Sequence, residues 1–182
     1  MKAAVIVIDM VNDFVSGVFH NSKAQAIIPS VQALLTKARA HHVPVIYCSD
    51  AHQADDVEFN VWPIHCLEKT WGADIIDELS PQSEDILFTK RTYSAFFNTP
   101  LHDWLQQHEI DTVVLCGVVT SICVAHTAAE AFFHGYRIIV PQETTASTDD
   151  TNYRQALSDM KTLYGVETPL GTAFFDNVSF ID

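Results

Sequence analysis

Three residues carry the side chains that thiol chemistry needs, and each falls where an apolar run gives out. Asp9 directly follows Val5-Ile6-Val7-Ile8, Lys90 follows Leu87-Phe88-Thr89, and Cys123 lies a few residues beyond Thr112-Val113-Val114-Leu115-Cys116. Continuous Val/Ile/Leu runs are the mark of strands buried on both faces, and such strands belong to parallel sheets. The carboxyl ends of parallel strands share one rim, where open α/β sheets place their ligands. An acid, an amine and a thiol are therefore expected to meet there. Cys123 falls in the first turn of a helix read from Ser121 to His134, and the partial positive charge of a helix start favours thiolate over thiol.

A free thiol near pKa 8.5 is only slightly ionised at neutral pH. A helix terminus contributes roughly 0.3–1 kcal/mol toward ionising it. An ammonium about 4 Å away, at an effective dielectric near 20, contributes about 4 kcal/mol before desolvation. Lys90 is thus expected to be the larger influence, with Asp9 keeping it charged and accepting the thiol proton as general base. Cys48 and Cys116 lie inside apolar strands and read as core. His126 stands three residues past Cys123, a spacing that does not aim its ring at the sulfur, and it reads as a packed or interface histidine.

A second group follows the next strand: Asp50-Ala-His52, then Glu58, then Trp62-Pro-Ile-His65. Asp-x-His on an extended segment puts both side chains on one side, a suitable bite for a divalent ion. His65 supplies a third ligand and Glu58 a fourth, direct or through water. Imidazole with carboxylate suits Zn, Fe or Mn.

The elements that must position these groups alternate between strand and helix, the βαβ pattern of a parallel sheet covered on both faces. Strands are expected at 3–8, 43–48, 86–89, 112–116 and 136–140, with a short sixth at 166–168. A loop is expected from Asp9 to Ile28, with Pro29 opening a helix that carries Val31, Leu34, Leu35 and Ala38 on one face. Further helices are expected at about 73–79, from Thr99 to about Gln107, and from Thr148 to Tyr164 with Gly165 closing it. The fold class is α/β: a single three-layer, Rossmann-like domain over 1–182, with a mostly parallel five- or six-stranded sheet and helices on both faces. Phe174, Phe175 and Phe180 in the tail are expected to pack on this subunit or a neighbouring one.

The chain has 182 residues, 48% of them hydrophobic and 18% charged, ordinary values for one globular domain. A net charge of −13 repels phosphate backbones and anionic lipid, arguing against nucleic-acid or membrane partners. No stretch has the length of a membrane span. Four cysteines without paired spacing suit a reducing, cytoplasmic setting.

Taken together the residues resemble the isochorismatase-like cysteine hydrolase superfamily, and within it the nicotinamidases. Val5-Ile-Val-Ile-Asp9-Met-Val-Asn-Asp-Phe14 resembles the family's opening strand, Lys90-Arg-Thr-Tyr-Ser-Ala-Phe96 its lysine segment, and Gly117-Val-Val-Thr-Ser-Ile-Cys-Val124 its nucleophile segment. The resemblance implies the isochorismatase-like fold and a triad of Asp9, Lys90 and Cys123. It also implies a cis peptide at Val118-Val119, with the Val119 and Cys123 N–H groups as oxyanion hole. Asp50, His52, Glu58 and His65 resemble the metal set of some nicotinamidases, and Phe14 and Trp62 their aromatic walls around a pyridine ring. The implied reaction hydrolyses a small amide through a cysteine thioester, nicotinamide to nicotinate and ammonia, in a homo-oligomer. Ser121 departs from the aspartate usual in nicotinamidases. Two other readings stay open: a metal-independent hydrolase of a carbamoyl, ureido or other small amide, and a non-catalytic small-molecule or metal-binding protein.

Overall fold

A computed structural model describes residues 2–172, 174 and 175. Six strands build one sheet: β1 (Ala3–Ile8), β2 (Val45–Asp50), β3 (Ile86–Lys90), β4 (Thr112–Val118), β5 (Arg137–Ile139) and β6 (Thr145–Ala146). Their order is β3-β2-β1-β4-β5, with β6 pairing β4, and every named pair is parallel. Every residue of β1, β2 and β4 is buried, as their apolar runs require.

Alternate residues feed two cores. Val5, Val7, Val45, Tyr47, Val114 and Cys116 face α2 (Ser22–Ala40) and its buried Ala24, Ile27, Val31, Leu34, Leu35 and Ala38. Ala4, Ile6, Ile8, Ile46, Cys48, Val113 and Leu115 face the other way. They meet α3 (Leu101–Gln107), α4 (Ala125–Phe133) and α5 (Asp150–Tyr164) through Leu101, Leu105, Ala128, Ala131, Leu157 and Met160. Each fully buried Leu, Ile or Val contributes about 1.5–3 kcal/mol, so both faces must be covered. The result is the three-layer α/β domain read from the pattern.

Several elements differ from the sequence reading. Residues 9–28 are not one loop: a short α1 (Asn12–Val15) comes first, and α2 starts at Ser22, two turns ahead of Pro29. The Asn21 side chain caps α2 by accepting from the Lys23 N–H at 3.0 Å, and Ala24 and Ile27 extend the apolar stripe backwards. Pro29 is tolerated inside the helix on its exposed face. No α-helix forms at 73–79, because that backbone is engaged elsewhere. Ile75 bridges Val11 and the Ile76 N–H donates to the Met10 carbonyl at 3.1 Å, leaving only single 3₁₀ turns. The sixth strand is Thr145–Ala146, and the expected 166–168 strand shrinks to a bridge between Glu167 and Ile139. Asp149, not Thr148, caps α5, accepting from the Thr151 and Asn152 N–H groups at 2.9 Å. Phe175 is buried in the α2-side core with Phe174 against it; Phe180 lies outside the described residues.

Candidate active site

The order of strands reverses between β1 and β4, and a crevice opens at their carboxyl ends. Asp9 leaves β1 with φ of 52°, a left-handed conformation that Asp tolerates better than most residues. β4 reaches the same place through Gly117 (φ 107°), where an added Cβ would lie 1.9 Å from the Ile8 carbonyl oxygen. Only glycine lets the two strand ends close on each other there. The Val118-Val119 peptide is cis. Cys123 then sits in a π-helical turn, Thr120–Val124, that leads into α4, rather than in the first turn of an α-helix as expected. Such turns are frequent at functional sites.

The structure brings Asp9, Lys90 and Cys123 together, all buried. Lys90 Nζ donates to Asp9 Oδ2 at 2.8 Å, to Asp50 Oδ1 at 2.5 Å and to the Thr92 carbonyl at 3.0 Å. Asp9 Oδ1 accepts from the Asp50 N–H at 2.9 Å. The Cys123 sulfur lies within 4.8 Å of oxygens of Asp9 and Asp50. Asp50 is thus shared between Lys90 and His52, a link that spacing along the chain does not disclose.

Burial works against the Lys90 ammonium, but Asp50 and then Asp9 hold it protonated, well above the ordinary lysine range. Burial and the Asp50 charge push the Asp9 carboxyl up to about 7, against the opposing pull of Lys90. Burial pushes the Cys123 thiol well above its usual range, and Lys90 only partly offsets it. Desolvation, which the comparison of Lys90 with the helix terminus left aside, is the larger influence on the thiol: two carboxylates already balance the ammonium, and the sulfur has little contact with water. Cys123 rests as a thiol, and ionising it requires a base.

Phe14, Phe19, Trp62, Tyr93, Val119 and Ile122 wall a cavity that reaches Cys123, with Asn21, Glu58, His65 and Thr148 as its polar groups. Phe19 stacks on Phe14 at 5.3 Å and meets Trp62 edge-on at 5.9 Å; Trp62 Nε1 donates to the Tyr93 hydroxyl at 2.9 Å. The Val119 N–H donates to no atom of the described residues. Phe14 and Trp62 were legible in the sequence, whereas Phe19 and Tyr93 were not singled out. Tyr93 carried a signal, since it lies three residues past Lys90 within the lysine segment. Asp13 was also missed. Its buried carboxylate accepts from the Cys66 N–H at 2.7 Å and the Val18 N–H at 3.2 Å, tying the loop of Phe14 and Phe19 to the residue after His65. Ser121 bonds to Ser147 and does not line this cavity. His126 is exposed, its Nδ1–H donating to the Ile122 carbonyl at 2.7 Å, so it does not address the sulfur.

Asp50, His52, Glu58 and His65 offer ligand atoms all within 4.8 Å of one another. His52 Nε2 lies 3.5 Å from Asp50 Oδ2 and 4.0 Å from Glu58 Oε1; His65 Nε2 lies 4.0 and 3.8 Å from the same atoms. His52 Nε2 is buried and makes no hydrogen bond within the described residues, a costly state for a polar atom that nothing else serves. Burial lowers the His65 pKa and so favours the neutral, ligating ring; burial and then Asp50 raise that of Glu58. Burial also disfavours a charged His52, yet Asp50, Asp56 and Glu58 together raise its pKa, so positive charge is welcome between these groups. The four residues fit a divalent cation.

The isochorismatase domain model matches residues 3–170. The solved N-carbamoylsarcosine amidase of Thermoplasma acidophilum superposes with a TM-score of 0.89 at 35% identity, covering 93% of this chain and 96% of that one. The nicotinamidase/pyrazinamidase PncA of Bacillus subtilis gives 0.88 at 30% identity, with 93% and 100% covered. The pyrazinamidase of Pyrococcus horikoshii, solved in complex with zinc, gives 0.88 at 26% identity, with 93% and 99% covered.

Proposed function

The chain belongs to the isochorismatase family of hydrolases acting on non-peptide C–N bonds, and from that premise we propose that it hydrolyses a small, neutral aromatic amide, nicotinamide foremost, through a thioester on Cys123. The observation that carries this is the cavity itself. A buried thiol, base and ammonium stand together, Cys123 lines an aromatic-walled chamber, and no Lys or Arg is among the described residues that line it. A carbamoyl amino acid would bring a carboxylate into that chamber, and an unpaired buried charge is expensive. A neutral heteroaromatic ring between Phe14, Phe19 and Trp62 carries no such cost.

The chemistry follows from the resting charges. As the Cys123 sulfur attacks the carboxamide carbon, its proton passes to Asp9, whose raised pKa makes it a competent base near neutrality. The carbonyl oxygen becomes an oxyanion, and the Val119 and Cys123 N–H groups are its donors. The C–N bond breaks as the amide nitrogen takes the proton back and leaves as ammonia. Water, deprotonated by Asp9, then attacks the thioester, releasing the acid and restoring the thiol. Lys90 stays charged throughout and holds Asp9 in place. Asp50, His52, Glu58 and His65 would hold a divalent ion at the cavity edge, and the chemistry it would supply there is that of a Lewis acid toward a ring nitrogen. Four unpaired, buried cysteines support a reducing compartment, the cytosol.

The test is ammonia release from nicotinamide, pyrazinamide, N-carbamoylsarcosine and ureidoacrylate, each with and without chelator. The expected pattern is turnover of the two neutral ring amides, lost on chelation. Turnover of the anionic compounds alone, indifferent to chelator, would refute this reading in favour of a metal-independent carbamoyl or ureido hydrolase.

A further inference from the structure

Two charged side chains outside the ligand set stand directly behind it. Asp56 Oδ2 lies 2.9 Å from His52 Nδ1 and also accepts from the Gln53 N–H at 3.1 Å. Arg91 Nε donates to both Asp56 oxygens, at 2.8 and 3.1 Å, and its Nη2 donates to Oδ1 as well. We infer that Asp56, braced by Arg91, is a positioning residue for metal capture: it fixes the tautomer and the ring angle of His52. This rests on the metal reading of Asp50, His52, Glu58 and His65.

A carboxylate has only acceptors, so the proton of a neutral His52 sits on Nδ1. The Nε2 lone pair is then left pointing at Asp50, Glu58 and His65, which is the atom found buried without a hydrogen bond. His65 is arranged the same way by different means, its Nδ1–H donating to the Pro63 carbonyl at 2.8 Å. His65 is therefore oriented by its own loop, whereas His52 depends on a side chain that must itself be held. The fork of Arg91 holds it, since a bidentate guanidinium fixes the plane of a carboxylate as an ammonium cannot. Arg91 directly follows Lys90, so the segment that delivers the triad's amine also sets a ligand of the ion. Partners of this kind typically tune metal affinity by 10- to 100-fold.

The experiment is competition for zinc against a chromophoric chelator, with the visible spectrum of the cobalt-substituted protein as second readout. Asp56→Ala is expected to weaken zinc binding about 10- to 100-fold and to alter the cobalt bands. Asp56→Asn keeps a carbonyl acceptor for the imidazole N–H and is expected to recover most of the affinity. Arg91→Ala, at an exposed position, is expected to weaken binding severalfold and tests the brace even if Asp56→Ala fails to fold. Wild-type affinity in Asp56→Ala and Arg91→Ala would overturn the inference alone. Equal loss in Asp56→Ala and Asp56→Asn, with unchanged cobalt bands, would also overturn it, leaving the pair a staple of the loop. A wild-type protein that takes up no ion would overturn the metal reading and this inference with it.

Discussion

Cys123 rests protonated because burial outweighs the nearby ammonium, so in the proposed mechanism the rate of attack is tied to the state of Asp9. A base works only when ionised, and the Asp9 carboxyl is held at about 7. As pH falls through that value Asp9 gains a proton and turnover is lost; as pH rises above it the base is fully available. We expect kcat/KM for the amide to fall tenfold per pH unit below about 7 and to level off above it. A profile flat down to pH 5 would remove Asp9 from the proton transfer. The meeting of Asp9, Lys90 and Cys123 was legible in the sequence because each follows an apolar strand, and topology must bring such strand ends to one rim. The balance of charges was not legible. It depends on Asp50 turning one oxygen toward Lys90 and the other toward His52, and spacing along the chain carries no trace of such sharing. Asp56 was hidden for the same reason, although an acid four residues past a candidate ligand histidine is a usable signal.

At the scale of elements, the site depends on how closely the ends of β1 and β4 approach. Gly117 combines a positive φ with a Cβ direction blocked by the Ile8 backbone, so Gly117→Ala adds both strain and a collision. We expect a loss of about 2–4 kcal/mol, read as a lowered urea midpoint at unchanged m, with activity falling further than stability. Loss of activity at wild-type stability would mean that the strands absorb the methyl. Fully buried strands were easily read, since their apolar runs have one physical explanation. Element boundaries were less legible where backbone groups found partners far along the chain. The 73–79 segment gives its hydrogen bond to Met10 rather than to a helix of its own, and α2 begins wherever Asn21 can cap it, regardless of Pro29.

For the molecule as a whole, the charge of −13 bears on large anionic partners, whereas the proposed preference for a neutral amide rests on the absence of Lys and Arg from the described cavity lining. The same acidity welcomes a cation where it is concentrated, between Asp50, Glu58 and the two histidines. Binding confined to the folded state stabilises it by roughly 2.7 kcal/mol at a hundredfold excess over Kd, which for a chain of this size raises Tm by several degrees. Zinc is expected to produce that rise in the wild type and not in His52→Ala; an equal rise in both would place the ion elsewhere.

The most direct measurement is the mass of the intact protein, quenched during turnover of nicotinamide. The wild type should carry a covalent adduct equal to the nicotinoyl group on Cys123, and Cys123→Ala should carry none and release no ammonia. Ammonia release by Cys123→Ala at the wild-type rate would contradict a mechanism built on this sulfur.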